Sequence, residues 1–97
     1  MIVAMAELRD LRCFAVLSEV LHFGKAADRM AISQSTLSRR IRALEDELGM
    51  ALLVRTSRRV ALTDPGRELA TRLPAALRSV DQALEAARSK GAGGWEV

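Results

Sequence analysis

The sequence predicts a mainly α-helical fold, a winged helix-turn-helix with a two-stranded wing and a long C-terminal linker helix. Three observations predict it. Two helical segments are separated by only three residues, a basic hairpin follows them, and an apolar stripe at helical spacing covers the last third of the chain. We therefore divide the 97 residues into a winged helix-turn-helix domain at 1–63, a linker or dimerisation helix at 64–89 and a flexible tail at 90–97.

The first two helices are predicted from apolar spacing and from the break between them. Residues 8–21 form the first helix, whose apolar positions are Leu8, Leu11, Phe14, Ala15 and Leu21. We expect Gly24 to cap the second helix, at 25–30, with Phe23 as a hydrophobic staple before it. His22 is then expected to be an ordinary loop residue.

The third helix has clear start and stop signals. Ser33 is expected to be its N-cap, because the serine hydroxyl can accept a hydrogen bond from a free backbone N–H of the first turn. The helix is predicted at 34–48, and Gly49 ends it. Its apolar face is formed by Leu37, Ile41, Leu44 and Leu48.

The wing and the linker helix follow. Residues 52–54 and 60–62 are predicted to be short strands, joined by a polar, basic turn at 55–59. Thr63 is expected to cap the linker helix, which continues to about Ser89. Pro74 lies inside this helix, where it removes one backbone hydrogen bond and is expected to kink the chain.

Composition excludes several classes of protein. The single cysteine, Cys13, is expected to be a core thiol, and no Cys/His cluster predicts a metal site. No catalytic pair can be assembled around the one histidine, so we expect neither an enzyme nor a cofactor. No apolar stretch is long enough for a membrane span, and a reducing cytoplasm is the expected compartment.

Charge indicates a polyanionic partner. The net charge is +3, and arginines concentrate between residues 33 and 60, apart from the consecutive acids Glu45, Asp46 and Glu47, which are expected to point away from the partner. Only 3% of residues are aromatic, which argues against a protein that stacks unpaired bases. Glutamine and arginine near the start of the third helix, at Gln34 and Arg39, are suited to base edges in the major groove of duplex DNA.

The motifs of the chain also form a recognisable ordered set. They are LRCF at 11–14, FGKAADRM at 23–30, SQSTLSRRIRALEDELG at 33–49, LLVRT at 52–56 and LTDPG at 62–66. This set resembles the DNA-binding domain of LysR-type bacterial transcriptional regulators, and the resemblance covers nearly the whole chain. It implies a winged helix-turn-helix whose linker helix pairs antiparallel with that of a second copy.

The resemblance also implies positions for DNA contact. Major-groove contacts are implied for Gln34, Ser35, Ser38 and Arg39, and contacts to the backbone or the adjacent minor groove for Arg55, Thr56, Ser57 and Arg58. From the residues themselves we add Ser33, Thr36 and Arg42 of the third helix, and Arg59 of the wing. Arg40 and Arg42 could face either the duplex or solvent.

The implied partners are double-stranded promoter DNA with an interrupted dyad and a second copy of the chain. The dimerisation stripe is predicted to comprise Leu69, Leu73, Leu77, Val80, Leu84 and Ala87. As an alternative, this stripe could fold back on its own domain. The resemblance further implies that the full-length protein can form a tetramer and binds a small-molecule effector only through a C-terminal domain, which this chain is expected to lack. A rival function is a helical protein-interaction module that uses the stripe and never binds DNA.

Overall fold

The computed structural model describes residues 6–91, and within them it confirms the predicted fold class. Four helices and two strands follow in the order α1 Leu8–Val20, α2 Phe23–Met30, α3 Gln34–Leu48, β1 Leu53–Arg55, β2 Val60–Leu62 and α4 Asp64–Gly91. The strands pair antiparallel, with Leu53 opposite Leu62 and Arg55 opposite Val60. Among residues 6–91, no helical segment combines the length and the apolar character that a membrane span requires.

The core lies where α1, α2 and α3 meet the base of the wing. Its largest fully buried side chains include Phe14, Leu17, Leu37, Ile41, Leu44 and Leu52. The leucine face of α3 is thus inside, as its spacing predicts, although Leu48 is only partly buried. Cys13 is also fully buried, which confirms the prediction of a core thiol. Packing of this face fixes the opposite face of α3 toward solvent.

The first helix ends one residue earlier than predicted. Leu21 is not on its apolar face but follows it in the left-handed conformation, at φ 51°, with its N–H bonded to Leu17 O at 2.7 Å. Leu8 and Leu21 are exposed, because they lie at the two ends of α1. Leu17, which the predicted set omitted, is buried in their place.

The cap of α2 differs from the prediction. Gly24 is the second residue of the helix, and the N-cap is His22, whose Nδ1 accepts a hydrogen bond from the Lys25 backbone N–H at 3.0 Å. His22 is therefore a capping residue and not an ordinary loop residue. Phe23 is the first residue of α2, so it does not precede the cap as a staple.

The signals around α3 and at the start of α4 are confirmed. Ser33 Oγ accepts a hydrogen bond from the Thr36 N–H at 3.1 Å, and Gly49 closes α3 at φ 71°. Thr63 Oγ1 accepts a hydrogen bond from the Gly66 N–H at 3.1 Å. The first strand both begins and ends one residue later than predicted. Arg55 therefore belongs to β1 and not to the turn.

The acids after Leu44 do not form a single free patch. Glu45 is half-buried, and its Oε2 accepts hydrogen bonds from the backbone N–H groups of Leu52 and Leu53, at 2.8 and 3.2 Å. The C-terminal end of α3 is thereby joined to the start of the wing. Sequence reasoning missed this contact, because a carboxylate in a charged run gives no sign of a partner seven residues further on.

The linker helix is partly docked on its own domain. Leu73 and Leu77 are buried in the core cluster at 5% and 9% exposure, and Leu69 packs against the same cluster. The chain's own domain therefore covers most of these three leucines. This part of the stripe agrees with the alternative that the stripe folds back on its own domain. Only Val80, Leu84 and Ala87 of the predicted stripe are exposed.

The helix itself continues without a break through Pro74. It also runs two residues beyond its predicted end, to Gly91, so Lys90 and Gly91 are helical and not part of a tail. The remainder of the predicted flexible tail, 92–97, lies outside the described residues.

Candidate nucleic-acid interface

The first turn of α3 presents polar side chains, but part of its polarity is used within the protein. The Ser33 hydroxyl accepts the capping hydrogen bond, lies 2.9 Å from Thr36 Oγ1 and lies 3.2 Å from Ser35 Oγ. These contacts order the start of the helix. Backbone N–H groups at a helix start favour an anion, so this end suits a phosphate as well as a base edge.

The solvent-facing side of α3 carries two serines and two long arginine side chains. Ser35, Ser38, Arg39 and Arg42 line one shallow groove of about 400 Å³. Arg39 and Arg42 are exposed, and neither guanidinium group makes a hydrogen bond or ion pair with another described residue. Both guanidinium groups therefore keep all five N–H donors for a partner.

Arg55 joins the wing to the helices beneath it. Its Nη1 donates a hydrogen bond to Ser38 Oγ at 3.0 Å, and its guanidinium lies over the Phe23 ring at 4.5 Å from the centroid. A cation at this distance over a ring is stabilised by the ring quadrupole. The base of the wing, the first turn of α2 and the middle of α3 are thereby held together.

A second groove continues from the first. It is lined by Phe23, Gln34, Ser35, Ser38, Arg55, Thr56 and Val60, so the two grooves share Ser35 and Ser38. Gln34 is exposed, and a Cβ at Gly24 would lie 3.0 Å from Gln34 Nε2, so the amide end of Gln34 extends over the start of α2. The role of Phe23 as the ring beneath Arg55 was not predicted, because the two residues are distant in sequence.

The tip of the wing is a tight turn organised by Thr56. Its backbone N–H donates to Arg59 O at 2.9 Å, and its Oγ1 accepts from the backbone N–H groups of Arg58 and Arg59 at 3.3 and 3.1 Å. Ser57, Arg58 and Arg59 are exposed and line a further depression with Gln34 and Thr56. Within residues 6–91 neither Arg58 nor Arg59 has an acidic partner for its side chain.

Two further charged groups, Arg40 of α3 and Asp10 of α1, are partly or largely buried between these helices. Arg40 is half-buried, and its Nη1 donates to Cys13 Sγ at 3.8 Å, so it turns toward the core and away from the grooves. A separate depression between α1 and α3 contains Asp10, Arg39 and Arg40. Asp10 is 7% exposed, and its Oδ1 has no hydrogen-bond partner in the described structure, although Arg9 Nε lies 3.9 Å away.

The structure thus brings the predicted residues of α3 and of the wing to one continuous surface. Those that line its grooves are Gln34, Ser35, Ser38, Arg39, Arg42, Arg55, Thr56, Ser57, Arg58 and Arg59. Ser33 and Thr36 line none of these three grooves; both belong to the cap of α3, and Thr36 lines the separate depression between α1 and α3. No cluster of three or more metal-ligating side chains occurs among the residues that the structure describes.

Three helices, a two-stranded wing and an arginine-rich groove along the third helix define a winged helix-turn-helix protein. The family model described as the lysR family of bacterial regulatory helix-turn-helix proteins matches residues 8–67. The chain belongs to that family.

Curated relatives are longer proteins. The hydrogen peroxide-inducible genes activator of Haemophilus influenzae is 48% identical over 84 residues, which are 87% of this chain and 28% of that protein. The regulator IlvY of Escherichia coli is 52% identical over 63 residues, 65% of this chain and 21% of that protein. The chain thus spans about a quarter of the length of the relatives that it matches.

Solved structures of the same family superpose closely. BenM_DBD, crystallised in complex with catB site 1 DNA, has a TM-score of 0.82 and 41% identity, covering 88% of this chain and 96% of that one. OxyR of Corynebacterium glutamicum, in its oxidised form, has a TM-score of 0.81 and 37% identity, covering 93% of this chain and 27% of that one. The order and packing of the elements are therefore those of a known DNA-binding module.

Proposed function

We propose that this chain binds double-stranded DNA in a sequence-specific manner, with α3 in the major groove and the wing on the backbone or adjacent minor groove. The observation that carries the proposal is the groove along α3, where the exposed guanidinium groups of Arg39 and Arg42 have no partner in the described structure. An arginine without an internal partner can form a bidentate pair with guanine. The DNA complex of BenM_DBD supports the proposal by similarity.

The grooves suggest a division of work among the side chains. Gln34 and Arg39 are proposed to read base edges, since amide and guanidinium groups make two-point contacts with adenine and guanine. Arg58 and Arg59 at the wing tip are proposed to contact phosphates. Arg55 uses one N–H donor on Ser38, so it keeps four donors for the DNA backbone while it holds the wing in place.

We further propose that the protein is a transcriptional regulator and not an enzyme. Its relatives are named as regulators and activators, and the matched segment makes up only 28% and 21% of the length of the two described above. A small-molecule effector is proposed to bind outside the matched segment, which covers only 28% and 21% of these two relatives. Because a bacterial promoter lies in the cytoplasm, the proposal implies that compartment.

A dimer is proposed through the exposed half of α4. Val80 and Leu84 are exposed at 36% and 57%, and Ala87 continues their face of the helix. Pairing with a second copy would bury these apolar side chains and place two α3 helices on the half-sites of an interrupted dyad. Full-length protein is proposed to form dimers on this basis.

The proposal is tested by selecting bound sites from a random duplex library and by measuring affinity for the selected site at several salt concentrations. We expect a dyad-related sequence to be enriched. The logarithm of the binding constant should fall with the logarithm of salt concentration by about 0.9 for each phosphate that is neutralised. Failure to enrich any sequence, or binding that does not respond to salt, would contradict sequence-specific duplex binding and favour the protein-interaction module.

The dimer carries a separate prediction. Leu84→Glu is expected to weaken self-association at least about tenfold, because each copy would have to desolvate a carboxylate in an apolar contact. Analytical ultracentrifugation measures the change. Ala86→Glu, an equal change in charge on another face of the exposed end of α4, serves as the control and should self-associate like the unmodified chain. An unchanged dimer in Leu84→Glu would exclude this face as the interface.

A further inference from the structure

Within residues 6–91, the last polar contact that the linker helix makes with the domain is at Asp81. Arg12 of α1 reaches across to it, with Arg12 Nη2 at 2.8 Å from Asp81 Oδ1 and Arg12 Nη1 at 3.5 Å from Asp81 Oδ2. Two parallel contacts of this kind fix the plane of a guanidinium against a carboxylate. They join residues 69 positions apart in the chain.

This pair lies at the boundary between the docked and the exposed part of α4. Leu77, one turn before Asp81, is still buried in the core cluster. Every described residue of α4 after Leu77 is exposed, and beyond Asp81 the ion pair Arg88–Glu85 is internal to the helix. The Arg12–Asp81 contact is therefore placed where it can restrict the direction in which the exposed part of the helix leaves the domain.

The length of the exposed part makes that direction important. From Leu77 to the end of α4 at Gly91 the helix rises about 21 Å, at 1.5 Å per residue. A tilt of about 10° about Leu77 moves the far end by about 4 Å. That displacement is close to the 3.4 Å rise of one base pair, about the amount by which a half-site shifts when one pair is inserted. A two-fold axis through the dimer face at Val80, Leu84 and Ala87 would apply the same tilt to both domains, so their separation would change by the sum of the two displacements.

We propose that the Arg12–Asp81 ion pair sets the angle between the domain and the linker helix, and thereby the spacing of half-sites that the dimer prefers. The inference rests on the proposed function, since it requires a dimer that binds two half-sites. Arg12 and Asp81 are positioning residues, because neither lines the grooves along α3. An exposed ion pair contributes little to folding stability, so its loss should alter geometry without unfolding the chain.

The test measures the affinity of the 97-residue chain for a set of duplexes. These duplexes carry the selected dyad with its central spacing changed by one base pair at a time, from two fewer to two more. The unmodified chain should prefer one spacing. In Arg12→Ala and in Asp81→Ala, the ratio of affinities between the best spacing and its neighbours should fall by about threefold. Affinity for a single half-site should stay the same.

Two further variants make the result specific to this pair. The charge exchange Arg12→Asp with Asp81→Arg should restore a narrow preference for spacing. Arg72→Ala, which removes an arginine whose ion pair with Glu68 lies wholly within α4, should keep the original preference. If the two alanine variants retain the original preference, or if the exchange variant stays as broad as they are, the inference is wrong.

The proposed function fails in a different way. If the unmodified chain enriches no duplex, both proposals fall. If it binds its selected site tightly with a clear optimum of spacing, the proposed function stands, and only the behaviour of the Arg12 and Asp81 variants decides the inference.

Discussion

Replacing Gln34 and Arg39 together by alanine is expected to reduce affinity for the selected DNA site at least about 30-fold, since each two-point base contact supplies about 1–3 kcal/mol. Both side chains are exposed on the free face of α3, and neither has a hydrogen-bond partner in residues 6–91. Their removal should therefore leave the fold and the dimer unchanged. Fluorescence anisotropy with a labelled duplex measures the loss.

A matched control is available on the linker helix. Gln82 and Arg78 are also an exposed glutamine and arginine, and they lie outside the grooves along α3. Replacing this pair by alanine changes composition and charge equally, and we expect it to alter DNA affinity far less. Undiminished binding by the Gln34→Ala, Arg39→Ala double variant would contradict the placement of α3 in the major groove. It is also the result that the rival protein-interaction module predicts.

Gly66→Ala is expected to lower the free energy of unfolding by about 3 kcal/mol, the upper part of the usual range for overpacking a closed site. A Cβ at Gly66 would lie 2.0 Å from the carbonyl oxygen of Leu52 and 2.9 Å from its carbonyl carbon. Those atoms are backbone, and the same carbonyl accepts a hydrogen bond from the Thr63 N–H at 3.0 Å. The start of α4 would have to move away from the base of the wing.

Urea unfolding followed by circular dichroism measures this effect. Gly91→Ala is the control, because a Cβ there would meet no atom within 4 Å and alanine favours a helix over glycine. We expect the Gly91 variant to be at least as stable as the unmodified chain. If Gly66→Ala has the same urea midpoint as the unmodified chain, the backbone of α4 at Gly66 must lie farther from Leu52 than the structure shows.

Those parts of the fold that depend on nearby residues could be predicted from the sequence. Helix α3 is the clearest case, since Ser33 supplies its cap, Leu37, Ile41 and Leu44 supply a buried face at helical spacing, and Gly49 ends it. The N-cap of α2 was predicted wrongly, because glycine is a residue type that occurs at N-caps and Gly24 was therefore chosen. The ring nitrogen of His22 fills the same role once the chain reverses at Leu21.

Contacts between distant residues could not be predicted. The leucines of α4 show in the sequence which face of the helix is apolar. They do not show how much of that face the domain itself covers, and in the structure Leu73 and Leu77 are buried in the core. The candidate site shows the same limit. Its members on α3 and the wing could be named from the sequence, whereas the contact of Arg55 with Phe23 and Ser38 depends on tertiary packing.

The two braces between α3 and the wing have a consequence for the nucleic acid. Glu45 bonds the C-terminal part of α3 to the start of β1, and Arg55 bonds the end of β1 to Ser38 of α3. We therefore expect α3 and the wing to move together as one rigid unit. A rigid unit cannot change its shape to fit the DNA, so the DNA itself must bend wherever the two surfaces do not match. We therefore expect easily deformed pyrimidine–purine steps to be enriched in bound sequences at positions that no side chain touches.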